Sequence, residues 1–374
     1  MTSRSPLSLL LLACATVPPL AAQASVPRWE LQTQARLPLA STRAAVARDG
    51  SVFVLADSGL LRYAPGAPGA PRRLALPGAA AGATRVAVRG DTVVVFASGG
   101  TSLLRMDGTL LRTVRVPRQP GGAGLDVAVP EALLRDGSVI AVPRFDVELA
   151  ARGALDDIPL VRVGPGGVGG GVLARRSLRH FGMRIVAGRG RVIATRQPWH
   201  DEELLAVPGG GEWAAVVSRP APESRAQGTF RVARFEPGGR RAWERSYPYT
   251  PRELPQDAVA RMAEIYAEGY LGAATPDALR AVRAALWLPT GLPPVTAAVA
   301  ARDGTLWLRR ESALEDSPRV RWTVLDPSGD PAGEVTVPGT WMILDADGER
   351  VWAVERDLHG GGSLLRLRRV AAGR

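Results

Sequence analysis

The chain has 374 residues, a formal charge of +11, 46% hydrophobic residues and 22% charged ones. That balance supplies a large core and excludes a chain that is disordered throughout. Every basic residue is Arg. The lack of Lys and Asn excludes a Schiff-base lysine, a P-loop lysine, an N-glycosylation acceptor and any Asn ligand.

The first segment reads as a targeting sequence. Arg4 precedes the apolar run Leu7 to Val17, and Ala22-Gln23-Ala24 is a small-residue cleavage pattern ahead of Ser25. The run is short for a transmembrane helix and no other stretch qualifies. Residues 1–24 are therefore expected to be a signal peptide, and 25–374 one exported domain, periplasmic or extracellular. The alternative is a lipid anchor through Cys14, the single cysteine, which follows Leu11-Leu12-Ala13. Cleavage after Ala24 would leave a mature chain with no thiol and no disulfide.

An isolated strand is expected around Trp29 to Leu37. Four short strands follow over 42–77, and the plan repeats over 83–117 and about 125–178. Asp-Gly turns punctuate it: Asp49-Gly50, Asp136-Gly137, Asp303-Gly304 and Asp347-Gly348, each ahead of an apolar strand, with a weaker copy at Gly90-Asp91. Such pairs predict two-residue hairpin turns. Asp49 to Asp91 spans 42 residues and Asp91 to Asp136 spans 45, a period of one four-stranded propeller blade. The glycine run 164–171 lacks the helix that a phosphate cradle needs and reads as a turn. Residues 180–247 read as one blade with an added hairpin, or as two incomplete blades, which would make seven.

The pattern breaks at 250–288. Val259, Met262 and Ile265, then Leu279, Val282 and Leu286, fall at helical spacing, and Thr275-Pro276-Asp277 is a helix start. An inserted helical hairpin is expected there. Residues 295–338 form a clean unit, and 340–370 supply three strands. The N-terminal strand would complete that last blade, so the fold is expected to be all-β, a six-bladed β-propeller closed by its N-terminal strand.

This arrangement resembles the six-bladed β-propeller superfamily, in particular TolB-like and NHL-like exported bacterial propellers. The resemblance covers about residues 28–370. It rests on the blade pattern, on Asp326-Pro327-Ser328-Gly329 between outer strands, and on Trp307 and Trp352 after Asp-Gly turns. It implies a binding platform. Some relatives are calcium-dependent lactone hydrolases with a channel metal held by Glu, Asp and Asn. A chain without Asn cannot repeat that ligand set, and the turn aspartates read as caps of their own backbone. No catalytic, cofactor or metal residue is assigned.

Two clusters stand as binding candidates. Trp199, His200, Asp201, Glu202 and Glu203 set an imidazole beside three carboxylates. Neighbours in an extended segment point to opposite sides, so the competing reading is a solvated loop entering a blade. Tyr247, Tyr249 and Arg252, with Trp243, lead into the helical insert. They suit an interface, or the packing of the insert on the rim. Scattered arginines argue against specific nucleic-acid binding. The expected protein is a monomeric, non-enzymatic binding or scaffolding module for a protein, peptide or glycan, without cofactor; the alternative is a lactonase-like hydrolase with calcium.

Overall fold

The computed structural model describes residues 26–372, except 58, 66–69, 81, 98–99, 115–127, 166–170, 223, 313–317 and 357–361. The expected signal peptide with Cys14, most of the glycine run and His359 lie outside the described residues. No helix among the described residues is long and apolar enough to cross a membrane.

Strand β1 (Arg28–Leu39) opens the described chain. Four-stranded antiparallel sheets then follow in chain order. The first is β2 (Ala44–Val46), β3 (Val52–Ala56), β4 (Gly59–Tyr63) and β5 (Arg72–Leu74). The second is β6 (Arg85–Arg89), β7 (Thr92–Ala97), β8 (Gly100–Arg105) and β9 (Leu110–Val114). The third is β10 (Ala128–Leu133), β11 (Val139–Pro143), β12 (Asp157–Val163) and β13 (Val172–Ser177), with the short helix α1 (Val147–Ala151) in its second connection. A separate hairpin, β14 (Gly182–Ala187) and β15 (Arg191–Arg196), comes before the fourth sheet. That sheet is β16 (Leu204–Ala206), β17 (Ala214–Ser218), β18 (Gly228–Phe235) and β19 (Arg241–Tyr249).

Helix α2 (Gln256–Tyr266) runs into a π turn at Ala267–Leu271, and α3 (Pro276–Ala285) follows. Thr275 caps α3 through its hydroxyl, which accepts from Ala278 N at 3.3 Å, with Pro276 in the first turn. The rest is one eight-stranded sheet. It contains β20 (Val295–Ala300), β21 (Leu306–Arg310), β22 (Val320–Leu325), β23 (Pro331–Val337), β24 (Trp341–Asp347), β25 (Arg350–Arg356) and β26 (Gly362–Ala371). Its order is β20-β21-β22-β23-β1-β26-β25-β24. Strand β1 lies antiparallel to β26 along almost its whole length, and touches β23 in parallel only at Arg28 and Trp29.

The innermost strands β2, β6, β16, β20 and β24 wall one central channel of about 260 Å³. The sheets therefore stand radially, as in a β-propeller. The large apolar side chains sit between sheets: Phe53, Ile140, Phe230, Trp307 and Trp322 are fully buried.

The turns correct one expectation. Asp49-Gly50 is not a two-residue turn but the end of a three-residue loop. Gly50 N donates to Ala47 O at 3.1 Å, and Ala47 N donates to Ser51 O at 2.8 Å. Gly50 takes the left-handed conformation, with φ 87°, so this is a type I turn followed by a glycine bulge. The same hydrogen-bond pair recurs at 105–109, 134–138, 236–240, 301–305 and 326–330. The aspartate is spared the left-handed region and uses its carboxylate as a cap: Asp49, Asp136 and Asp303 accept from the N–H two residues on, at 2.8, 2.9 and 3.1 Å. Two-residue turns do occur at Gly90-Asp91 and Gly348-Glu349.

Neighbouring sheets are tied through these loops. Arg62, Arg162 and Arg234 each stand one residue before the end of the third strand of their sheet. Each donates to the carbonyl of the second residue in the last turn of the next sheet: Met106 at 3.3 Å, Pro237 at 2.6 Å and Pro327 at 3.1 Å.

In an up-and-down sheet the first and third turns lie at one end, and the second turn and the exit at the other. Helix α1 occupies a second turn, whereas the β14–β15 hairpin and the helical insert occupy exits. All the additions therefore crown one end of the ring, and the other end carries mostly tight turns, with longer connections only at 64–71, 164–171 and 207–213.

The ring closes through Trp29. Its indole covers Gly333, where an added Cβ would lie 2.4 Å from the ring; it lies 6.5 Å from Trp307 and under the Arg369 guanidinium at 4.2 Å. Gly333→Ala should cost about 1–3 kcal/mol through overpacking. Most of that cost should vanish in the Trp29→Ala background. Urea denaturation of the double-mutant cycle measures the coupling, and additive losses would deny the contact its role.

Candidate functional site

The segment Trp199 to Glu203 enters β16 at the crowned end, and the structure corrects the solvated-loop reading. Trp199 is buried in the core shared by the hairpin and the helical insert, with Met183, Ile185, Leu254 and Leu286. The hairpin and insert bury their apolar faces on each other and cover this stretch of chain, a tertiary event that local spacing does not encode.

The four polar side chains split into two pairs, as alternation requires: Asp201 and Glu203 face the surface cavity, and His200 and Glu202 turn inward, 3.8 Å apart. Asp201 Oδ2 accepts from Ala221 N at 3.2 Å and lies 3.3 Å from His180 Nδ1; its Oδ1 is buried with no hydrogen-bond partner among the described residues. Glu202 points inward and is 5% exposed. Its Oε1 takes the Arg196 guanidinium, and its Oε2 has no hydrogen-bond partner among the described residues. Burial raises its pKa against the pull of Arg196, Arg176 and Arg219. Glu203 accepts from Ser177 N at 2.7 Å and from the Ser218 hydroxyl at 3.3 Å, which pins β13 to β17.

Arg219, 3% exposed, organises the interior of this region. It donates to Glu202 O at 2.7 Å and to Val295 O at 2.9 Å, and its Nη2 lies 3.2 Å from His200 Nδ1. A guanidinium only donates, so His200 Nδ1 accepts and its proton sits on Nε2. Burial, reinforced by Arg219, Arg196 and Arg176, holds the His200 pKa down to about 2. Arg176 grips Glu131 with two bonds of 2.8 and 2.9 Å, and Arg85 donates to Glu131 O at 2.8 Å. The charged network thus runs from the crown to the channel wall.

A cavity of about 550 Å³ opens beside it, between β12, β13, the chain entering β16 and the exit of the insert. Asp156, Asp157, His180, Asp201, Glu203 and Trp287 line it. His180 lies flat on Trp287, with centroids 3.8 Å apart and ring planes within 6°. Arg175 offsets Asp157 at 2.6 Å. The wall offers carboxylates and a stacked aromatic pair, suited to a ligand carrying hydrogen-bond donors or positive charge beside a flat apolar face.

The second predicted cluster lies elsewhere. Tyr247 donates to Gly329 O at 2.6 Å and stacks on Phe230 at 5.1 Å. Tyr249 fills the space over Gly228, where a Cβ would meet its ring at 2.4 Å. Burial drives both phenols up to about 12. Trp243 donates to Pro327 O at 2.9 Å. These aromatics fasten β19 to the next sheet. Arg252 is exposed, and its carbonyl accepts from Leu292 N at 2.8 Å.

Among the described residues no three His, Cys, Asp or Glu side chains converge as a metal-binding set. Asp49, Asp136 and Asp303 cap their own turns, and Asp347 pairs with Arg350 at 2.7 Å. The sequence reading missed Arg219, Arg196, Arg176, Glu131 and Trp287. Except for Arg196, which meets Glu202 six residues on, their partners are remote in sequence, and no motif links them.

No family model matches the chain, and no curated protein matches it. Solved structures do. A DUF4221-family protein from Bacteroides vulgatus aligns with a TM-score of 0.50 at 9% identity, over 92% of this chain and 99% of that one. A gluconolactonase from Xanthomonas campestris aligns at 0.43 and 14% identity, over 92% and 96%. The WD40 domain of Neurospora crassa Pan2 aligns at 0.39 and 8% identity, over 91% and 96%. The first likeness places the chain among β-propellers.

The buried His200 makes stability depend on pH. Its folded pKa lies below the unfolded value of about 6.5, so below that pH the unfolded chain takes up a proton that the fold refuses. Stability is therefore lost as pH falls from about 6.5 toward the folded value, by roughly 1.4 kcal/mol per unit from this residue. Denaturation at pH 7 and pH 5 should show that slope in the wild type and a shallower one in His200→Gln. Equal slopes would refute the assignment.

Proposed function

We propose that this protein is an exported, monomeric, non-enzymatic β-propeller that binds a protein, peptide or glycan at its crowned end. The carrying observation is the 550 Å³ cavity that holds Asp201, Glu203 and the His180–Trp287 stack. Its walls come from β12, β13, the chain entering β16, the segment after β17 and the exit of the helical insert, whose Trp287 a bare ring of repeats does not need. The stacked rings match a sugar face or the stem of a basic side chain, and the carboxylates match hydroxyl or cationic donors.

The reading counts the eight-stranded sheet as two blades, β20–β23 and β24–β26 with β1, and takes the β14–β15 hairpin as an addition. Six blades result, in the manner of TolB-like and NHL-like propellers. It also takes residues 1–24 as a signal peptide cleaved after Ala24, with lipidation at Cys14 as the alternative; the mass of the mature chain separates them.

The calcium-dependent lactonase alternative has weaker support. The channel wall is built of small aliphatics such as Ala44, Val88, Leu205 and Ala298, and its carboxylate Asp345 is bound to Arg302 by a bond of 2.6 Å. A hard cation needs several free oxygens.

Calorimetry against neutral and amino-sugar oligosaccharides and against neutral and basic peptides tests the reading. One class should bind, and Trp287→Ala or Asp201→Asn should weaken it at least about tenfold, or 1.4 kcal/mol. Unchanged affinity in both variants, or hydrolysis of lactones at enzymatic rates without added metal, would overturn it. Calcium at about 1 mM should leave the melting temperature unmoved; a rise would favour the alternative.

A further inference from the structure

The tight-turn end of the ring carries two adjoining cavities that the crowned site does not use. One, of about 410 Å³, is a cleft between β1 with the strands beside it and the first sheet. Its floor is apolar, from Leu37, Val52, Trp352 and Leu364, and Arg36, Arg48, Arg350 and Arg366 stand around it. The other, of about 400 Å³, is the channel mouth at this end, lined by Arg48, Arg89, Arg135, Arg302, Glu212 and Asp345. Arg48 lines both, so the cavities adjoin at its side chain.

Most of this charge is uncompensated. Arg302 is held by Asp345, Arg36 by Glu355 at 2.7 Å and Arg350 by Asp347 at 2.7 Å. The cleft's own acid, Asp49, is spent on Ser51, which it accepts from at 2.8 and 2.9 Å. Arg89 reaches only a backbone carbonyl, Leu134 O at 3.1 Å. The Arg48, Arg135 and Arg366 side chains enter no hydrogen bond or ion pair among the described residues. Against these four cations stands Glu212. It pairs with none of them and lies folded against Gly210, where a Cβ would meet its Oε1 at 1.9 Å.

We propose that this end is a second binding surface, for an extended acidic peptide segment of a protein partner that carries one large apolar side chain. The apolar residue fills the cleft over Trp352 and Leu364. Flanking carboxylates meet Arg366 and Arg48, and the chain continues toward Arg89 and Arg135 at the channel mouth. Bidentate guanidinium–carboxylate pairing suits this arrangement. A small free anion would engage the mouth and leave the apolar cleft unused. A nucleic acid would lack exposed aromatic platforms, since Trp352 is 6% exposed.

The probe is a fluorescein-labelled heptapeptide of six Asp and Glu residues around a central Phe, followed by anisotropy at low and at physiological salt. Binding that weakens with salt is expected. Arg48→Glu with Arg366→Glu should raise Kd at least about tenfold, and the Gln pair, which adds no repulsion, should raise it less. A charge-matched control on α3, Arg280→Glu with Arg283→Glu, should change it less than twofold. Replacing the central Phe with Ser should also weaken binding. Equal losses in the cleft and control variants would reduce the effect to generic charge and overturn the proposal. So would no binding at low salt, or tighter binding of an oligonucleotide of equal charge through the same arginines. Trp287→Ala should leave the peptide's affinity unchanged, so failure here and failure of the crowned site are told apart.

Discussion

The ring depends on how separate sheets are held to each other, because each four-stranded sheet is self-contained in its backbone hydrogen bonding. The junction between them is made mainly of side chains, a dry apolar interior and a repeated arginine at the rim, with a backbone bond from Arg135 N to Gly211 O at 2.8 Å between the third and fourth sheets. Arg62, Arg162 and Arg234 perform the same act from the same place, donating to the turn carbonyl of the next sheet. A turn carbonyl at a sheet end has no ladder partner, so a long cationic donor both satisfies it and fixes the spacing of neighbouring sheets. Each arginine also needs an acceptor in one position, which the three-residue loop supplies each time. The loop and the arginine therefore work as a pair. That pairing gives part of the Arg-rich composition a structural cause.

The seam where the chain's two ends meet is held differently. Strand β1 completes the sheet of β24–β26 by antiparallel pairing, which locks the last sheet to the first residues of the fold. It then touches β23 through Trp29, laid over the bare backbone of Gly333. Ring closure thus adds one long ladder and one aromatic contact to the layers of buried aliphatics that flank the last sheet as they flank the others.

Repeats are legible in a sequence because they recur, and recurrence averages out local ambiguity. The strands, the inserted helices with their Thr275-Pro276 start, and the closing role of the first strand could all be read from turn chemistry and spacing. The turn geometry could not, because Asp-Gly serves two-residue and three-residue loops alike; only the hydrogen bonds of the flanking residues separate them. The burial of Trp199 to Glu203 was hidden for another reason. It depends on the hairpin and insert closing over that segment, and their mutual packing is non-local. His180 and Trp287 show the same limit. They stack face to face although more than a hundred residues separate them, and nothing in either neighbourhood signals the other.

The two ends of the ring have opposite electrostatic character, and this follows from topology. The crowned end receives every insertion, so it can bury charges among new walls. There Glu202, Arg219, His200 and Arg176 form a network in which the desolvation of one group is offset by hydrogen bonds from the next. The turn end has mostly short loops. A three-residue loop cannot cover its own side chains, so arginines on the loops and inner strands stay at the surface around the channel mouth. Ion pairs form where an acid lies within reach, as Asp345 of β24 does for Arg302; elsewhere the guanidinium groups stay available. The side-chain chemistry of the two ends is thus divided by the strand connections themselves: carboxylates and stacked rings where the chain has length to build a pocket, open cations where it does not.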